Sequence, residues 1–137
     1  MKLQLEVVEV RQPNDFDDAF GAAKKGHAGA VNILTSAFLT AHRKELVVSA
    51  EKSRLPAMYP SASFLEAGAL MFYGPNVADN YRGAAAHVDK ILKGAKPADL
   101  PVEQPMKFEF VINLKAAKQI GLTIPPNVLS RADKVIR

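Results

Sequence analysis

Apolar positions recur with two different spacings along this chain. Short apolar or alternating runs stand between longer segments whose apolar residues return every three or four positions. Leu3 to Val10, rich in Leu and Val, predicts a first strand. Pro13 and Asn14 then open a helix, because Phe16, Ala19, Phe20 and Ala23 fall at i, i+3, i+4 and i+7, with Gly26 as its cap. Ala30 to Leu34 has the pattern of a buried parallel strand. Ser36 can cap a helix running to about Lys52, with Leu39, Leu46, Val47 and Ala50 facing inward. Leu55 to Tyr59 predicts a third strand. Ser63-Phe64-Leu65-Glu66 has the spacing of a capping box, so a brief helix follows and ends at Gly68. Ala69 to Tyr73 is the fourth strand.

The clearest helix comes next. After Gly74-Pro75-Asn76, residues Val77, Tyr81, Ala84, Ala85, Val88, Ile91 and Leu92 hold a helical period, and Gly94 stops it. Ala95 to Pro105 carries three prolines and reads as an extended connection. Met106, Phe108, Phe110 and Ile112 alternate with Lys107, Glu109, Val111 and Asn113, which predicts a fifth strand, either at an edge or antiparallel. Asn113 can cap a short helix ending at Gly121. Pro125-Pro126 breaks the chain before a last helical turn near Leu129 to Asp133. Strands that alternate with helices imply an α/β fold: a mostly parallel five-stranded sheet with helices on both faces, in a single domain over residues 1–137.

Composition narrows the function more than the fold. The net charge of +4 would suggest nucleic acid only if the bases were clustered, but no basic run is longer than a pair such as Lys24-Lys25. The absence of cysteine excludes disulfides, thiol catalysis and cysteine metal sites. No apolar stretch is long enough to span a membrane as a helix. Met1 to Glu6 alternates like a strand and lacks the continuous apolar segment of a signal peptide, so the expectation for these residues alone is a chain not marked for export.

Candidate chemistry is sparse. No glycine-rich phosphate loop occurs. His27, His42 and His87 are not spaced as metal ligands, and Asp15, Asp17 and Asp18 crowd a helix start where they favour its dipole. Ser36, Ser61 and Ser63 lack the context of a nucleophile elbow. The expectation is therefore no enzyme, no cofactor and no metal. The carboxyl ends of parallel strands are more suggestive, because open sheets bind ligands there. Those ends carry Asn32 and Ser36, then Tyr59 and Ser61, then Tyr73 and Asn76. These six neutral hydrogen-bonding residues, two of them aromatic, suit a small polar molecule, although Ser36 and Asn76 can equally serve as helix caps.

Leu55-Pro56-Ala57-Met58-Tyr59-Pro60 and the stretch from Asp89 to Pro105 (DKILKGAKPADLPVEQP) carry a family resemblance. So do Phe108 to Asn113, Gly121 to Pro126 and Arg131-Ala132-Asp133, with a looser match from Phe16 to Arg54. The chain resembles the substrate-binding proteins of ABC-type importers, of the kind that includes tryptophan and tyrosine importers. The resemblance implies a periplasmic-binding-protein-like fold of type I, in which two α/β lobes close over a small ligand and the closed form docks on a membrane permease. It implies that this chain is the C-terminal lobe with its crossing segments, without the N-terminal lobe that carries the export signal. The implied ligand is a small molecule, with amino acids among the candidates, and the implied location is periplasmic. If the chain is the complete product, the expectation is cytoplasmic. Two positions depart from the family: Gly68-Ala69 where two glycines are usual, and Phe72 where Ser is usual.

The rival readings are a free-standing cytosolic α/β module that acts through protein interaction or homodimerisation, and a small enzyme on a flavodoxin-like sheet. The resemblance also implies that the helix from Val77 to Lys93 normally packs on the other lobe. In its absence, the apolar stripe is expected either to fold back onto its own sheet or to pack against a second copy.

Overall fold

Apolar runs too short for helices pair into one five-stranded sheet in a computed structural model that describes residues 3–137. The strands are β1 (Val31–Asn32), β2 (Ala57–Tyr59), β3 (Met71–Pro75), β4 (Phe108–Asn113) and β5 (Lys134–Ile136), side by side in chain order. The β1–β2, β2–β3 and β4–β5 pairs are parallel, and β3–β4 is antiparallel. The sheet is thus mostly parallel, as expected. The strand over Lys107 to Asn113 is the antiparallel one, and it lies inside the sheet rather than at an edge.

The count of five strands is met by a different set. Leu3 to Val10 forms no strand, and Met1 and Lys2 lie outside the described residues. Leu3, Leu5 and Val7 are exposed, while Val10 packs against the core. Alternation marks a two-sided surface, but a strand also needs a neighbour to take its hydrogen bonds. β1 directs its N–H groups to β2 instead: Val31 donates to Pro56 O and Ile33 to Met58 O. The fifth strand is β5, held in register by Asp133, whose backbone N–H donates to Phe110 O while its carboxylate accepts from Phe110 N–H, both at 2.8 Å.

The helices are α1 (Asp15–Lys25), α2 (Ala37–Ala41), α3 (Arg43–Ser53), α4 (Ser63–Glu66), α5 (Val77–Leu92), α6 (Leu114–Gln119) and α7 (Pro126–Leu129). A 3-10 turn spans Pro97–Asp99. The helix expected from Ser36 to Lys52 is broken at His42 into α2 and α3, although no Gly or Pro marks the break. After α1, the left-handed residue is His27 (φ 59°) rather than the predicted cap Gly26 (φ −74°). The capping box at Ser63 is not formed. Ser61 Oγ instead accepts from Ser63 N–H at 3.2 Å and pairs with Ser63 Oγ at 2.7 Å. The last helical turn begins at Pro126, earlier than expected, because a proline in the first turn gives up no hydrogen bond there.

Strand register sorts the side chains onto two faces. Ala57, Tyr59, Phe72 and Val111 share one face, and Met58, Met71, Tyr73, Phe110 and Ile112 share the other. The first core joins Ala57 and Tyr59 to Phe16 and Phe20 of α1, Leu46, Val47 and Ala50 of α3, and Phe64 of α4. The second joins Ile112, Met71 and Phe110 to Ala116 and Ala117 of α6 and to Ile124, Val128 and Leu129 around α7. Helices therefore cover both faces. α5 is the exception: it holds its predicted period, but none of its residues is buried.

Candidate functional site

The carboxyl ends of β1, β2 and β3 point the same way because the three strands are parallel. β4 runs against β3, so its first residues, Phe108 and Glu109, arrive at that same end. Of the six predicted residues, Asn32 and Tyr59 end β1 and β2, Ser36, Ser61 and Asn76 follow their strands, and Tyr73 stands in the middle of β3. Their side chains do not form one concavity.

Tyr59 is a correction. Its register places it on the first-core face, where its ring is fully buried and lies 5.0 Å from that of Phe64. Burial pushes its phenol far above the ordinary value, so the ring packs as a core side chain and is not presented at the rim. Ser61 is engaged with Ser63, as above. Ser36 caps α2: its Oγ accepts from Leu39 N–H at 3.5 Å and its carbonyl from Thr40 Oγ1 at 2.8 Å. Asn76 caps α5, accepting from Asp79 N–H at 3.0 Å, and its amide donates to Glu109.

Tyr73 and Asn32 present exposed side chains. Both lie on the second face, two strands apart, which is about 10 Å at ordinary strand spacing. Asn32 is exposed. Tyr73 is 54% exposed and stacks on Phe108, itself 48% exposed, at 5.7 Å and 24°. Phe110 meets the edge of the same tyrosine at 6.3 Å. Together the three rings make an aromatic platform, with Tyr73 and Phe108 exposed and Phe110 half-buried against the second core. Phe108 and Phe110 were not among the predicted site residues. The signal for them was present in the alternation of the fifth predicted strand, which puts every second residue on one face. What that alternation could not say was that β4 would lie beside β3.

Two features shape the platform. Phe72, on the other face, is buried and reaches up beneath Gly74. A Cβ at Gly74 would lie 2.7 Å from the Phe72 ring and 2.7 Å from Pro60 O, so only glycine fits there. Phe72 therefore fills the space under the rim rather than the open face. At the base of α5, Lys107 Nζ lies 3.1 Å from the Asp79 carboxylate, Asp79 also pairs with Arg82, and Asn76 N–H donates to Lys107 O at 2.9 Å. The hydrogen bond from Lys107 holds the Asp79 carboxyl below the ordinary carboxylate range. Two depressions lie at the opposite end of the sheet, one lined by α6 and the turn to Ile124, the other between α3 and α6. Among the described residues no cluster of side chains could hold a metal ion, and no helix is long and apolar enough to cross a membrane.

Comparison with known proteins places this geometry. The family described as ABC transporter substrate binding protein matches residues 1–136. No curated protein matches the chain significantly. Among solved structures, the ABC domain in complex with L-Trp from Streptococcus pneumonia is similar at 28% identity and a TM-score of 0.83, over 98% of this chain and 45% of that one. A conserved domain protein from Vibrio cholerae O1 biovar El Tor str. N16961 is similar at 27% identity and a TM-score of 0.79, over 90% of this chain and 42% of that one. The ligand-free, open structure of CD0873, a substrate binding protein with adhesive properties from Clostridium difficile, shares the fold at 18% identity and a TM-score of 0.66, over 93% of this chain and 42% of that one. This chain thus spans less than half the length of these solved chains.

Proposed function

Because the chain belongs to the ABC transporter substrate binding protein family, we propose that it is one lobe, the carboxyl-terminal one, of the solute-binding component of an ABC-type importer. In this reading residues 1–137 supply one wall of a ligand cleft and the second lobe supplies the other. The role is binding without chemistry: the closed form delivers its solute to a membrane permease from the periplasmic side.

The observation that carries the reading is the exposed stack of Tyr73, in β3, on Phe108, which enters β4 beside the carboxyl end of β3. Aromatic faces left in water at such an end suit a planar or apolar solute group, and Asn32 offers hydrogen bonds to a polar one. The L-Trp held by the Streptococcus pneumonia structure supports an aromatic amino acid as the solute. The alternative, a module that acts by homodimerisation, is favoured by a different observation, the uncovered stripe of α5.

Thermal shift with L-tryptophan, L-tyrosine and a panel of other amino acids tests the reading. An aromatic amino acid at 100 times its Kd should stabilise the chain by about 2.7 kcal/mol. Tyr73→Ala and Phe108→Ala should abolish that shift while leaving the unliganded transition in place. No response across the panel at millimolar concentration would sink the assignment of an aromatic amino acid to the Tyr73–Phe108 stack.

A further inference from the structure

Charge along the chain is uneven in a way that its short basic runs conceal. Residues 1–113 hold 13 Lys and Arg against 13 Asp and Glu, so they are neutral as a set. Residues 114–137 hold five bases, Lys115, Lys118, Arg131, Lys134 and Arg137, against one acid, Asp133. The whole net charge of +4 therefore lies in these 24 residues.

The fold keeps the segment together. It forms α6, α7 and β5, and β5 is the outermost strand of the sheet, with α6 packed against it. Register sets Ile136 beside Asn113, so Arg137 leaves the sheet at the end where Lys115 begins α6. That end is opposite to the rim from which α5 departs, because β4 runs against β3. All five bases are exposed. Among the described residues none of them is in an ion pair, whereas Arg11, Lys52, Arg82, Lys93 and Lys107 each have an acidic partner. The Asp133 carboxylate is engaged by Phe110 N–H.

Folding does not account for this charge. A lysine on an edge strand blunts pairing with other strands, which covers Lys134 alone. Lys118 suits the last turn of α6, but Lys115 stands in the first turn, where the helix dipole disfavours a base. Like charges gathered without partners repel one another, and an anionic surface relieves that repulsion.

We infer that the edge made by α6, α7 and β5 is a membrane-facing surface, held by anionic lipid headgroups. Residues 114–137 contain no aromatic side chain on which a nucleic-acid base could stack. They expose no large apolar side chain of the kind that anchors a protein partner. Lys118 alone of the five bases lines a depression, so no pocket gathers them around a single phosphate or carboxylate. Long basic arms spread along an edge suit a diffuse layer of negative charge. The inference rests on charge and is independent of the solute. Vesicle binding without an amino acid response breaks only the solute reading, and the converse breaks only the membrane surface.

Co-sedimentation of the 137-residue chain with lipid vesicles provides the test. Vesicles of equal parts phosphatidylglycerol and phosphatidylcholine should retain it at low ionic strength, and vesicles of phosphatidylcholine alone should not. Salt at about 0.5 M should release it by screening. Each base near such a surface contributes about fivefold to partitioning, so Lys115→Gln with Lys118→Gln should weaken retention about 25-fold. Both positions are exposed and Gln is a good helix former, so circular dichroism should be unchanged. Lys90→Gln with Lys96→Gln removes the same charge from the α5 excursion and should change retention by less than about twofold. Equal losses in the two double variants would mean that net charge alone drives binding, and would overturn the inference. So would retention on phosphatidylcholine alone or retention indifferent to salt. Failure to bind the anionic vesicles at low ionic strength would also overturn it, and would assign the edge to an acidic protein partner.

Discussion

α1 and α5 present the same sequence signal, an apolar stripe at helical period, and meet opposite fates. Phe16, Phe20 and Ala23 of α1 are buried, while no residue of α5 is. The difference lies in what each helix connects. α2 and α3 join β1 to β2, α4 joins β2 to β3, and α6 and α7 join β4 to β5, all of them parallel pairs. A connection between parallel strands must travel back along the sheet, and that return lays its helices on a face. α1 shares the first of these layers, packed against α3. α5 joins β3 to β4, an antiparallel pair whose ends already meet. Nothing obliges it to recross the sheet. A hydrophobic stripe says that a face wants cover; strand direction decides whether the chain itself can provide it.

The sharpest way to break this comparison is to truncate one aromatic residue in each helix. Phe16→Ala should cost about 3–5 kcal/mol in urea denaturation, because Phe16 is 1% exposed and leaves a cavity. Tyr81→Ala, measured at concentrations too low for association, should stay within about 0.5 kcal/mol. Similar losses at both sites would mean that α5 is covered after all.

Glycines draw the same line more finely. Gly74→Ala should destabilise by about 1–3 kcal/mol, since the new methyl meets Phe72 and a backbone carbonyl. Gly83→Ala meets nothing and removes a flexible residue from a helix, so it should raise helicity and stabilise by about 0.5–1 kcal/mol.

Caps separate local from global stability. Asn113 accepts from Lys115 N–H at 3.1 Å and Ala116 N–H at 3.3 Å, in the second core. Asn113→Ala should lower the global transition by about 1 kcal/mol. Asn76→Ala should instead speed amide exchange across 77–92 with little change in that transition.

The smallest expected effect is acid sensitivity. Asp17 and Asp79 have lowered pKa values, the first chiefly through a hydrogen bond with Ser49, the second through Lys107. A carboxylate lowered by folding contributes stability that is complete above its ordinary value of 3.8 and is lost as pH falls through the lowered one. Circular dichroism should therefore show both regions intact at pH 5 and loosening only below about pH 4. Loosening of either region above pH 5 would contradict the assignment.

These contrasts also explain what could be read from the residues. The α5 helix, from Val77 to Leu92, was legible because its period is long and Asn76 marks its start. The helical cores around Phe16, Leu46 and Val47 were legible for the same reason. Leu3 to Val10 misled because alternation carries no information about a partner. Lys134–Ile136 escaped because three residues are too few to show a period, and its place is set by Asp133 clasping Phe110. At the rim, the strand ends were legible in the sequence but the directions of their side chains were not. A single step along β2 or β3 turns a side chain to the other face, which sends Tyr59 into the core and Tyr73 into water. Phe108 joined the platform only through a pairing between distant strands.

The hydrogen bond from Asn76 N–H to Lys107 O, where the excursion through α5 leaves the sheet and comes back, has a consequence for engineering. Everything from Val77 to Met106 hangs from one closed doorway. A chain that ran from Asn76 through a tight two-residue turn to Lys107 would make β3 and β4 an ordinary hairpin, with both cores untouched. The excursion is thus an interchangeable cassette: it can be excised, or replaced by a foreign segment whose ends lie equally close, without asking the remaining sheet to fold differently.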